Sequence, residues 1–178
     1  MTQQPVVLDP LDQFYTRAGL PLLTVTPLQG ASVPEPYRSL LVHERDMTPT
    51  VERLYQQRTH LRVLSAEDDG KTLLREVVLA LERDERPVVF GAIRIHLRHL
   101  APAACQSVLS ARIPLGRVLE EHRIAHVSRP AFYFKTLADA TIRGALNLTE
   151  PQIVYGRRNR LLTPSGQAVA EVVEILPP

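Results

Sequence analysis

The sequence predicts an α+β fold: an antiparallel β-sheet with helices packed around it. Three observations carry that expectation. Three extended runs joined by two short turns fill residues 60–97, helical patterns are grouped after them, and a hairpin closes the chain. Strands and helices do not alternate regularly, which argues against a parallel α/β sheet.

Each element has a local cause. Residues 1–37 are punctuated by Pro5, Pro10, Pro21, Pro27, Pro34 and Pro36 and read as a covering segment. Within it Asp9 is placed to cap a short helix that starts at Pro10 and carries Leu11, Phe14, Tyr15 and Ala18. Gly19-Leu20-Pro21 ends that helix, and extended chain follows. Thr48 followed by Pro49 predicts an N-cap with proline at the first helical position, and Val51, Leu54 and Tyr55 give one apolar face up to about Gln57. HLRVLSAEDDGKTLLREVVLALERDERPVVFGAIRIHL reads as three strands, turning at Asp69-Gly70 and at Asp84-Glu85-Arg86. Helices are expected over about 101–111 and 115–122, the second opened by Pro114-Leu115-Gly116. RIAHVSRPAFYFKT predicts a strand and TLADATIRGAL a helix. GRRNRLLTPSGQAVAEVVEILPP predicts a hairpin around Pro164-Ser165-Gly166.

Composition bounds the function. A chain of 178 residues suits one domain spanning 1–178. A formal charge of +2, with scattered arginines, is too small for nucleic-acid binding, where a basic stripe is expected. No apolar run reaches the roughly 18 residues that span a bilayer, and the first residues lack the pattern of a signal peptide. Cys105 is the single cysteine, so no intramolecular disulfide forms and the cytoplasm is the expected compartment. Its neighbours recur at helical spacing, which makes it a small buried hydrophobe rather than a nucleophile.

The chain carries no phosphate loop, dinucleotide fingerprint or zinc spacing. His96 and His99 form an H-x-x-H pair without a third ligand, and Ser107, Ser110 and Ser128 lie in no nucleophile elbow. What stands out are charges set in apolar strands: Arg75 in LLREVVLAL, Arg94 in GAIRIHL and Glu174 in VVEIL. Alternation puts Arg75 on the face of Val77, Leu79 and Leu81. If that face is the core, the guanidinium demands an anion, either a structural carboxylate or a ligand.

Six segments in order resemble the chorismate pyruvate-lyase family: LLVHERDMTPT, LLREVVLAL, FGAIRI, IPLGRVL, YGRRNRLL and VEILPP, over residues 38–178. The resemblance implies an antiparallel sheet with a ligand pocket under helical flaps, a fold shared with effector-sensing domains of bacterial transcription regulators. It implies a carbon–oxygen lyase that converts chorismate to 4-hydroxybenzoate and pyruvate with neither metal nor organic cofactor. Arg75 would grip a carboxylate of this small dianionic substrate, and Glu174, with Glu171 as the alternate, would be the acid/base. Backbone at Met47 and Leu115 would contact the ligand from two flaps, and Gly91 would permit close approach. The family arginine expected directly after that glycine is Ala92 here, so Arg94 is the candidate replacement. Of Arg157 and Arg158, which face opposite ways on a strand, at most one would line the pocket. The other would be a surface ion pair.

The alternatives are a non-catalytic domain binding a small aromatic carboxylate in the same pocket, a lyase for a related acid, and a partner-binding role. A sensor needs an output module for which 178 residues leave no room, and this favours the enzyme. The sequence gives no oligomeric state, although a pocket closed within one domain requires no partner subunit.

Overall fold

The computed structural model describes residues 7–178. Seven strands form one antiparallel sheet: β1 (Val25–Leu28), β2 (Thr59–Asp68), β3 (Thr72–Leu81), β4 (Pro87–His96), β5 (Val127–Leu137), β6 (Ile153–Leu162) and β7 (Ala168–Leu176). Their order is β1-β5-β6-β7-β4-β3-β2, so the C-terminal strand is central, between β6 and β4. The helices are α1 (Leu11–Arg17), α2 (Tyr37–Leu41), α3 (Met47–Tyr55), α4 (Pro102–Leu109), α5 (Leu115–Glu121) and α6 (Ala140–Leu146).

The expected α+β fold and its elements are present, with shifts that have local causes. α3 starts two residues earlier than expected, with Asp46 at its N-cap and Pro49 at its third position, where a missing N–H does no harm. Asp9 does not cap α1. Pro10 occupies the cap, and the Asp9 carboxylate accepts from Gln13 and Arg94 instead. β1 and α2 were not marked by any periodic pattern, because neither exceeds five residues.

The sheet separates two layers. On one face Val78, Phe90, Phe134, Val173 and Ile175 pack against α1 and α6, which bring Leu11, Phe14, Tyr15, Ile142 and Leu146. The α1 part of the covering segment shields the sheet here, while its later part brings Leu28 and Val33 to the cluster beside α2 and α3 on the second face. On that second face lie two clusters. Leu73, Ile95 and Leu161 meet α4 and α5, and Leu79, Val89 and Leu176 meet α2 and α3. The ground between these two clusters is the candidate site.

Candidate functional site

Strand register aligns the floor. Val77 of β3 lies opposite Gly91 of β4, Gly91 opposite Glu174 of β7, and Glu174 opposite Arg157 of β6. The next row on the same face runs Arg75, Ile93, Val172, Asn159. The Cα atoms of Arg75 and Glu174 are thus two strands and two residues apart, roughly 12 Å. The roof comes from two helix starts, Asp46-Met47-Thr48 at α3 and Pro114-Leu115-Gly116 at α5. Between floor and roof lies a cavity of about 80 Å³, several times the roughly 10–15 Å³ that one water needs.

The two roof helices are tied together. Arg117 of α5 donates to the Glu52 carboxylate of α3 at 2.6 Å and to the Thr59 carbonyl at 3.1 Å. The same Glu52 oxygen accepts from the Thr59 amide and hydroxyl. A side chain on Gly116 would meet the Thr48 hydroxyl at 3.3 Å, so the glycine lets the helix starts approach.

Five of the six residues singled out in the sequence, namely Met47, Arg75, Gly91, Leu115 and Glu174, line this one cavity. Arg94 does not, and its expected reach into the site is corrected. It lies opposite Leu74, on the α1 face, where Asp9 holds it with two bonds of 2.5 and 2.8 Å. Glu171 projects to that face too, bonded to His96 at 2.9 Å, so Glu174 is the strand's cavity carboxylate. Gly91 also has a different reason from the expected one. A Cβ there would lie 1.8 Å from the Val173 carbonyl, so the glycine admits the backbone of β7 before any ligand.

Arg75 is 1% exposed. Its Nη1 donates to the Val108 carbonyl at 3.1 Å, while Nε is buried with no partner. Among the described residues no carboxylate pairs with it, and burial alone pulls its pKa down to about 10.

Glu174 is in the opposite condition. Arg157, entirely buried, donates from Nε to its Oε2 at 2.5 Å. The rest of that guanidinium donates to the carbonyls of Leu41, His43 and Arg45, each at 3.1 Å. Arg157 therefore ties the cavity floor to the segment leading into α3. The sequence reading left open which of Arg157 and Arg158 would face the pocket and did not foresee this anchoring role. Arg158 instead donates to the Asp9 carbonyl on the other face. His43, beside Arg157, has its pKa pushed down to about 4, first by burial and then by that neighbouring charge.

No family model matches the chain, and no curated protein matches it in sequence. Solved structures do match. The effector domain of PhnF from Mycobacterium smegmatis is 13% identical, with 74% of this chain and 87% of that one covered at a TM-score of 0.54. PhnF itself is 12% identical, covering 76% and 64% of the two chains at 0.57. The ligand-binding domain of a Bordetella bronchiseptica protein, described as a GntR-family transcriptional regulator, is 12% identical, covering 67% and 85% at 0.51. The chain has the chorismate lyase-like fold.

At these identities the likeness carries fold alone. The structures named above are described as a transcriptional regulator's ligand-binding domain and as PhnF and its effector domain. These neighbours stand against the expected conversion of chorismate and the expected enzymatic role, and fit the alternative of a binding domain better. The carboxylate expected to shuttle a proton is paired with a buried guanidinium. The chain spans 87% of the PhnF effector domain, so its length does not by itself favour an enzyme. No described helix is long and apolar enough to cross a membrane.

Proposed function

We propose that this chain is a non-catalytic small-molecule-binding domain, taking an anionic ligand of about ring size between the sheet and the starts of α3 and α5. The observation that carries this reading is Arg75, a buried guanidinium at the cavity with no carboxylate of its own. Such a charge is strongly destabilising unless something completes it, and the cavity is where that partner can enter. An aromatic carboxylate suits both the planar fork of donors and the apolar walls of Val77, Leu79 and Ile93. Backbone N–H groups of Met47 and Leu115, each the first residue of its helix, are spare donors from the roof. Glu174 is assigned a structural part, as the anchor of Arg157.

Thermal melting with increasing benzoate tests the reading. At a concentration one hundred times Kd, a ligand that binds only the folded state adds about 2.7 kcal/mol. For a chain of 178 residues that raises Tm by about 5–10 °C. Arg75→Met, of similar length and no charge, is expected to abolish the shift. An undiminished shift in that variant sinks the proposal.

A further inference from the structure

Asp46 precedes α3, where an aspartate ordinarily accepts from the amide of the second or third helical residue. The third residue here is Pro49, which has no N–H, and Asp46 makes no capping bond. Its side chain turns away to His126, whose Nε2 lies 2.7 Å from Oδ2. The other nitrogen of His126 faces the Ile124 carbonyl at 2.9 Å. Both ring nitrogens thus meet oxygen acceptors, and the bond to Asp46 raises the histidine pKa.

One carboxylate oxygen is left over. Oδ1 of Asp46 is shut off from solvent and has no hydrogen-bond partner among the described residues, while Asp46 lines the cavity. A buried acceptor of this kind is expensive to leave unmet. The anionic group that suits Arg75 cannot meet it, because an ionised carboxylate accepts and never donates. The cavity therefore carries two opposite demands, an unfilled donor on Arg75 Nε and an unfilled acceptor on Asp46.

We propose that Asp46 is a specificity-determining residue of the cavity, accepting a hydrogen bond from a hydroxyl or ammonium group on the same ligand whose anionic end Arg75 holds. The ligand class narrows accordingly from any small acid to a hydroxy acid or an amino acid. This rests on the reading of the cavity as an anion site. His126 occupies Oδ2, so Oδ1 is the oxygen left to accept.

The experiment is calorimetric titration of the whole chain with benzoate, with 3- and 4-hydroxybenzoate, with the corresponding methoxybenzoates and with 3- and 4-(aminomethyl)benzoate. In the native chain at least one hydroxy or aminomethyl acid is expected to bind about tenfold or more tighter than benzoate, and its methoxy counterpart no tighter. Asp46→Ala and Asp46→Ser should bring that acid back to within about twofold of benzoate while benzoate itself is retained; serine preserves a helix cap and guards against misfolding. A preference that survives both substitutions overturns the proposal, as does the absence of any preference in the native chain. Loss of every acid, benzoate included, in variants that melt normally also overturns it, since Asp46 would then hold the roof rather than select. Failure of the anion reading looks different: no acid binds the native chain, or Arg75→Met binds benzoate as before, and the inference then falls with it.

Discussion

The two faces of the sheet treat charge in opposite ways. On the α1 face the charged groups at the margin find protein partners: Arg94 with Asp9, Glu171 with His96, Arg158 with the Asp9 carbonyl. On the cavity face Arg157 and Glu174 are completed, but Arg75 lacks a carboxylate and Asp46 retains an unmet oxygen. Both faces are buried, so burial alone does not mark function. The α1 side keeps unmet polar atoms too, the Tyr15 hydroxyl and Arg143 Nε; what marks the cavity is that an unmet cationic donor and an unmet carboxylate oxygen belong to residues lining one pocket.

The largest effect that can break this comparison is at Arg157. Arg157→Met leaves Glu174 buried and uncompensated and is expected to cost about 3–5 kcal/mol in chemical denaturation. Removing both charges, in Arg157→Met with Glu174→Met, should regain part of that loss; the rest belongs to three carbonyls deprived of their donor. A double variant as unstable as the single one means that the pair is not the source. Next comes Arg75→Met, where the sign reverses. Relieving a buried charge without a counter-ion should stabilise the ligand-free chain by about 1–3 kcal/mol, so a loss of stability there shows the guanidinium already satisfied.

A smaller effect is expected from pH, because His43 is only partly buried. Its folded pKa, about 4, lies below the ordinary 6.5, so the unfolded chain binds the extra proton. The stability from keeping it neutral is present above pH 6.5 and drains away as pH falls toward 4. His126 has the opposite sign: its raised pKa contributes below 6.5, and that contribution fades as pH rises through the folded value. Melting curves against pH should show His43→Gln flattening the acid limb; an unchanged limb contradicts the assignment. The smallest effect belongs to Arg94→Gln. A partly exposed ion pair is worth about 1 kcal/mol or less, and ligand binding should be untouched. Loss of binding in that variant erases the distinction between the faces.

How much of this was legible without coordinates can be seen residue by residue. Alternating apolar residues and turn dipeptides are local signals, and they placed β2, β3, β4 and the closing hairpin. The same alternation flagged Arg75 and Glu174 as charges in strands otherwise built for a core. The family likeness brought Met47, Gly91 and Leu115 to the same place, although it suggested the wrong activity. Short elements such as α2 escaped because five residues carry less than two helical turns of pattern.

The partner of Glu174 shows what only tertiary structure decides. Near the turn Leu162 pairs with Ala168, and counting back from there sets Arg157 opposite Val173. A bulge between Leu161 and Leu162 slips the register by one residue and sets Arg157 opposite Glu174. That slip sets Arg157 beside Glu174 and satisfies it, while Arg75, two strands from Glu174, is left without an anion. The sequence determined which residues are strands and which strands carry buried charge, because those follow from neighbours along the chain. Which charges meet depended on register and on the packing of the roof, energies shared among residues far apart in sequence.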